Sequence, residues 1–446
     1  EGTSRMVSAW ATGNYTWNDI YLADFSVRFD GSSDFGSKQR WAPFFSGGLG
    51  VNIHNYEFLK GNEIVNKLKV RASYGRTGKA SFPAYAATTM YEALFDEWYA
   101  TGFGAVLKAL GNNNLTWEKT DKFNVGIEMQ FLNRRLTVDA DYYHDKTIDL
   151  VNDVSLSQTS GFSSYKDNMG EVLNQGFELQ VRGEVFRNRD WLVALWGNMA
   201  HNKNKILKIS DSQRAYNQRV KEFYENIVNE EYGRYNSKYG VPISQYEEGQ
   251  SLTSIWAVKS LGIDPTTGKE IFLNRDGSVS DTWNATQEVA VGNTEPKFNG
   301  SIGFNAAYKQ WSLFAAFQYE WGGQEYNQTL VDRVENARIQ YQNVDLRVLT
   351  DRWKQPGDIA QFKDIKNADS ATMPTSRFVQ DKAYLRLSAL TLSYDFNREW
   401  IKKYLGMNML RLEASTRDFI NWNSIRQERG LSYPKSWTVD FSIKAQ

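Results

Sequence analysis

The residues best suited to chemistry in this 446-residue chain are three histidines, His54, His144 and His201. They lie far apart, near the ends of extended runs. None belongs to the His-Glu-x-x-His arrangement that sets two imidazoles and a general base on one helix face. Imidazoles so scattered are expected to hydrogen-bond at a surface rather than hold a metal. Cysteine is absent, which removes disulfides, thiolate metal sites and cysteine nucleophiles. Gly102-Phe103-Gly104 lacks the rest of a dinucleotide fingerprint. Asp264-Pro265-Thr266-Thr267-Gly268 lacks the spaced acids of an EF-hand loop. No catalytic constellation emerges, so the chain does not read as an enzyme, and no pattern calls for a cofactor or a metal.

Two other populations could act on a ligand. Charged residues recur at every second position within extended runs: Asp24, Arg28, Glu128, Asp139, Asp141, Glu178, Arg182 and Glu184. On a strand these share one face, and together they make a hydrated polar wall whose simplest task is to solvate an interior. Aromatics gather in the segments between runs: Trp98, Tyr99, Tyr224, Tyr232, Tyr235 and Trp256. Such rings could stack on sugar faces or grip a peptide, although rings in ordered loops more often pack the loop itself.

The elements that must position these residues are strands. In Tyr21–Asp30 the odd positions are apolar or aromatic and the even ones mostly polar. The same period of two returns in 122–131, 177–185 and 436–446. Thirteen candidate strands follow, near 3–17, 20–30, 41–54, 67–76, 119–131, 134–148, 171–187, 190–203, 297–309, 311–322, 380–396, 408–418 and 436–446. The alternation changes phase between Leu387 and Leu390, which predicts a bulge near Ser388-Ala389.

Mean hydropathy is −0.57, and no run of eighteen apolar residues exists, so no helix crosses a membrane. A barrel strand, by contrast, needs only about 9–11 residues with every second one apolar. Short turns (Trp17-Asn18-Asp19, Leu132-Asn133-Arg134, Arg187–Asp190, Lys309-Gln310) alternate with long connections at 77–118, 204–296 and 323–379. Aromatics including Trp10, Tyr15, Trp17, Trp191, Trp311, Tyr319, Trp321 and Trp437 stand at strand ends, as in interfacial girdles. The expected fold is all-β: an antiparallel transmembrane β-barrel with long extracellular loops. Within them, 217–229 reads as a short helix, and Trp256–Gly262 with Glu270–Leu273 as a hairpin. Lys plus Arg and Asp plus Glu both number 52, so no net field recruits nucleic acid.

Six segments, in order, resemble the SusC family of TonB-dependent transporters. They are Phe29–Gly36 with Arg40–Ser46; Leu68–Gly78; Asn114-Leu115-Thr116-Trp117-Glu118-Lys119-Thr120; Leu136–Leu150 with its Asp141-Tyr142-Tyr143-His144-Asp145-Lys146-Thr147; Asn168–Glu178; and Tyr384–Tyr394. The segment Leu412–Asn423 follows the family only loosely, and the sequence ends at Gln446 where such chains commonly carry an aromatic.

The resemblance implies an integral outer-membrane protein of Bacteroidetes-type bacteria, importing an oligomeric nutrient, glycan first and peptide second. It also implies a SusD-like surface lipoprotein lidding the barrel, and a TonB complex acting through an amino-terminal plug. Residues 1–446 would then be the carboxy-terminal part of one such barrel, with the plug and first strands absent. The remaining strands would come from the same or a second chain, because open strand edges in lipid are prohibitively costly. Lipid and LPS would surround it. The alternatives are a siderophore or cobalamin receptor, and a barrel serving an attachment or secretion complex.

Overall fold

A computed structural model describes residues 4–35, 40–79, 87–99, 102–109, 111–112, 115–155, 164–168, 170–229, 241–337, 339, 344–367, 372–426 and 438–445. Fourteen strands form one antiparallel sheet. They are β1 (Met6–Trp17), β2 (Tyr21–Ser32), β3 (Trp41–Asn52), β4 (Val65–Lys79), β5 (Glu118–Phe131), β6 (Leu136–Ile148), β7 (Glu171–Arg187), β8 (Trp191–Lys208), β9 (Phe298–Tyr308), β10 (Trp311–Tyr326), β11 (Val379–Asp395), β12 (Leu410–Arg417), β13 (Asn421–Asn423) and β14 (Thr438–Ala445). Each strand pairs with the next in sequence, except that β13 pairs back onto β11 and β14 lies on β12. All thirteen expected strands are present. The short β13 is the addition. It lies in the stretch that followed the family pattern only loosely.

Register turns the sequence alternation into two continuous faces. One row runs Leu22, Gly50, Arg71, Gly126, Asp141, Glu178, Ala200, Asn299, Glu320 and Tyr384 across adjacent strands. The neighbouring row on the other face is Tyr21, Val51, Val70, Ile127, Ala140, Leu179, Met199, Gly300, Tyr319 and Leu385. The first is polar and suits a water-filled lumen; the second is apolar and suits lipid. A one-residue slip anywhere would exchange the two faces, so register is strongly specified. The bulge in β11 falls where the phase change put it. Leu387 pairs with Phe317 and Ala389 with Ala316, leaving Ser388 as the extra residue, its hydroxyl donating to the Ala316 carbonyl at 3.0 Å.

The shortest connections, 18–20, 132–135, 188–190 and 309–310, all lie at one end of the strands, which also carries 53–64 and 396–409, while the longest, 80–117, 209–297 and 327–378, lie at the other. In the first turn Asn18 and Asp19 both have positive φ (50° and 55°) and Ile20 N–H donates to the Trp17 carbonyl. Trp17 pairs with Tyr21, so the loop has three residues, and its two left-handed positions are ones that Asn and Asp tolerate well. An aromatic belt girds this end. Trp17 stacks on Tyr21 at 5.5 Å, Trp191 meets Tyr308 at 4.4 Å, Trp311 meets Tyr394 at 4.8 Å and Tyr394 meets Phe396 at 5.0 Å.

Besides the sheet there is α1 (Asp211–Asn229), longer than the expected 217–229, and α2 (Arg398–Leu405). The α2 helix is capped by Asn397, whose side chain accepts from Glu399 N and Trp400 N, and it ends at left-handed Gly406. It buries Ile401 and exposes Trp400 and Tyr404. That is the pattern of a helix lying in the membrane interface and extending the aromatic belt.

Candidate functional site

The polar face of the sheet is organised around one three-strand bridge. Arg71, Gly126 and Asp141 are consecutive members of a row on β4, β5 and β6. Because Gly126 has no side chain, the Arg71 guanidinium reaches over β5 and grips Asp141 with two bonds, at 2.6 and 2.9 Å. A Cβ at Gly126 would lie 2.8 Å from Arg71 Cζ and would collide with Asp141 Oδ1. Arg71 also donates to Asn124 Oδ1 (3.1 Å) and lies 3.3 Å from Glu128, which further receives Lys67 at 2.5 Å and faces Lys69 at 3.7 Å. Three cations of β4 thus converge on Glu128 of β5 and Asp141 of β6, bracing the polar wall across three strands.

Of the wall residues expected from the sequence, Glu128 and Asp141 belong to this network. Arg28 pairs with Asp30 at 2.5 Å, and Asp24 fills the space left by Gly48. Asp139 and Glu178 continue the wall beside Glu128 and Asp141. Arg182 lies opposite Thr137 and Trp196, while Glu184 sits at a register shift near the short turns and pairs with Arg187 at 3.2 Å. Sequence reading overlooked Lys67, Lys69 and Arg71, although their period of two opposite the acids of β5 is visible in the chain.

At the other end, the segments after β8 and β10 fold into one body above the wall. A core of Val220, Tyr224, Val258, Phe272, Trp283, Ala285 and Met373 draws on both. A second core holds Leu330, Val331, Val334, Ala337, Val348, Phe362 and Phe378. The expected hairpin is present in part: Lys259–Ile263 pairs with Glu270–Leu273, with Val279–Ser280 as a third strand, whereas Trp256 belongs to a separate strand, Ser254–Ala257, that pairs with Val289–Asn293. The two segments are laced together. Val258 N–H donates to Pro374 O, Ser376 N–H to Val258 O, Trp283 Nε1 to Pro374 O and Trp353 Nε1 to Pro265 O. Arg377 closes the clasp, holding Glu270 at 2.8 Å and Glu335 at 2.6 Å in a site where Glu335 is wholly buried.

The six aromatics expected to meet a ligand divide by placement. Tyr224 is fully buried, edge-on to Trp283 at 5.4 Å, its hydroxyl donating to Val241 O at 2.9 Å. Trp256 is 1% exposed. Both rings are used up in the loop body, because a large ring in an ordered loop gains more by burial than by waiting in water. Trp98 and Tyr99 are at the tip of a hairpin formed by Met90–Tyr99 and Gly102–Ala109, opposite Phe103 and Gly102. Tyr232 and Tyr235 lie outside the described residues.

Burial reshapes two charges in the loop body. The Glu288 carboxyl, wholly enclosed beside Gln245, is pushed up to about 8 by desolvation. The Lys363 ammonium is brought down to about 8 by the same cause, against the pull of Glu335. Neither was legible in the chain. Two of the three histidines are satisfied singly, His54 Nδ1 donating to Leu68 O at 3.1 Å and His201 Nδ1 to Lys297 O at 2.5 Å. Among the described residues no group of His, Asp and Glu is arranged to hold a metal.

Comparison with known proteins places these features. The family described as TonB dependent receptor-like, beta-barrel, matches residues 1–415. TonB-dependent receptor P3 of Formosa agariphila is 27% identical over 426 residues, spanning 94% of this chain and 41% of that protein. TonB-dependent receptor SusC of Bacteroides thetaiotaomicron is 33% identical over 217 residues, 46% of this chain and 21% of SusC. Among solved structures, the RagAB peptide transporter superposes with a TM-score of 0.78 at 24% identity, covering 95% of this chain and 44% of that one. The chain therefore spans less than half the length of these relatives.

Proposed function

The chain belongs to the TonB dependent receptor-like β-barrel family, integral to the bacterial outer membrane, and from that premise we propose that it forms the later strands of an importer for an oligomeric nutrient, a glycan or a peptide. The observation that carries this reading is the pairing of a charged, hydrated wall with a folded body of loops above it. A polar wall keeps a passage wet, whereas a structured rim offers a large surface to a bulky, multivalent substrate. Similarity to SusC supports a glycan, and the architecture shared with a peptide transporter keeps peptide as the second reading.

The surface lipoprotein of the SusD type and the TonB complex belong to this proposal as partners. The loop body would be the docking surface for the first. A plug and further strands, on the same or another chain, would supply the contact with the second. Substrate contact would fall to Trp98 and Tyr99 at their hairpin tip and to Tyr232 and Tyr235, since Tyr224 and Trp256 are committed to the loop core.

The test is uptake by cells whose full-length transporter carries Trp98→Ala and Tyr99→Ala together, offered labelled oligosaccharides and peptides. Loss of one or two stacking contacts should lower uptake of one class about tenfold at unchanged surface abundance. Unchanged uptake of both would remove the hairpin tip from the route, and co-purification with a secretion apparatus instead of a lipoprotein would favour the attachment or secretion reading.

A further inference from the structure

Among the described residues, the lipid-facing side of the sheet carries cations without acidic partners on β8 and at the entry to β9. Trp311 and Trp321 stand ten residues apart on β10 and both are exposed, at 48% and 68%. At about 3.3 Å per residue and a tilt of about 40°, they are about 25 Å apart along the membrane normal. That is the height of an apolar band between two girdles, so Trp321 marks the outer-leaflet boundary. The outward side also changes character along the strands toward this end. The outward row Val125, Tyr142, Phe177, His201 is still mainly apolar; the next, Phe123, His144, Gln175, Lys203, turns polar, and the one after it, Asp121, Lys146, Leu173, Lys205, is charged.

On β4 to β7 the outward cations toward this end are paired with acids. Arg76 pairs with Asp121 at 2.6 Å, Lys119 with Asp149 at 3.3 Å and Lys146 with Glu171 at 2.8 Å. On β8 and at the entry to β9 they are not. Lys203, Lys205 and Lys297 are exposed and have no ion-pair partner among the described residues.

Lys203 and Lys297 border a recess of about 580 Å³ together with His201 and Trp321. The recess exists because β8 and β10 continue beyond the first residue of β9, Phe298, leaving a gap in the wall. Gly322, at φ +81°, lets the Lys297 stem lie across its backbone, where a Cβ would come within 2.9 Å of the stem carbons. The acids that line the same recess are already engaged. Glu295 accepts from the Asn202 amide and from Asn204 N, and Asp381 accepts from Gln324 at 3.1 Å. Lys382 is balanced by Glu320 and Glu325 at 3.7 and 3.4 Å.

We propose that Lys203, Lys205 and Lys297 form a binding site for the phosphate of an outer-leaflet lipid headgroup, with Trp321 packing against the lipid beside it. The inference rests on the outer-membrane placement of the chain and not on what it imports. Three ammonium groups at headgroup depth answer a phosphate at that same depth, and a Trp at the interface offers an apolar body to the acyl chains. A soluble anion lacks the second contact, which is why the lipid is the fitting occupant.

Native mass spectrometry of the full-length transporter in mild detergent tests this with monophosphoryl lipid A as the probe. The wild type should retain the lipid. Lys203→Gln, Lys205→Gln and Lys297→Gln combined should weaken retention roughly a hundredfold, at about fivefold per lysine. The matching triple change to Arg, which keeps charge and fold, should retain it. Equal retention by the Gln variant, equal binding of the dephosphorylated lipid, or displacement by millimolar inorganic phosphate would each overturn the site.

Discussion

At the scale of single residues, burial decides more than identity. Glu288 and Lys363 look like ordinary loop charges in the chain, yet enclosure moves both to about 8 from opposite directions. For Glu288 the folded value lies above the unfolded one. The folded state therefore holds an extra proton between about 4.5 and 8, and stability falls as pH rises through that window. For Lys363 the folded value lies below the unfolded one, so stability rises from about 8 toward 10.5. The loop body should be least stable near pH 8. Glu288→Gln should flatten the decline and stabilise the loop body there by on the order of a few kcal/mol. Hydrogen exchange of residues 241–297 across pH 5–10 measures this; a monotonic profile unaffected by the substitution would contradict it. Gly126 makes the complementary point, since its absent side chain lets Arg71 and Asp141 meet across an intervening strand.

At the scale of elements, strands were legible because a period of two is local. All thirteen expected runs are strands, and even the extra residue in β11 could be placed from a phase change. Loop architecture was less so. Turn residues disclosed the hairpin 259–273, but nothing local shows that the segments after β8 and β10 share a core or that Arg377 joins them. That clasp carries a clear expectation. Arg377→Ala would strand the buried Glu335 carboxylate, a change worth about 3–5 kcal/mol. Limited proteolysis should then open 327–378 while the barrel strands stay protected. Equal resistance of variant and wild type would show that the two hydrophobic cores hold the body without the clasp.

At the scale of the whole molecule, the sheet does not close among the described residues. β1 pairs only with β2, and β14 only with β12. Each unpaired N–H or C=O in lipid costs several kcal/mol, so an open edge in the membrane is untenable. The 51.2 kDa chain expressed alone should fail to give a heat-modifiable band in outer-membrane fractions. Supplying the complementary strands and plug from a relative should restore it. A single species of this mass that inserts unaided would refute the requirement for further strands.

The sequence by itself determined the strands, their two faces, the short and long ends and the transporter family, because each is written in nearest-neighbour patterns and ordered motifs. Only the tertiary structure decided which charges meet and which rings are spent. Arg71 and Asp141 lie seventy positions apart and touch through register and a glycine. Tyr224 and Trp256, which as residue types could have faced a ligand, are both buried, Tyr224 in a core that two distant loops build together. Lys203, Lys205 and Lys297 are ordinary lysines until folding pairs the other outward cations of β4 to β7 and leaves Lys203 and Lys297 beside Trp321, with Lys205 one outward position further along β8. Burial and charge balance are sums over neighbours that the chain order does not contain.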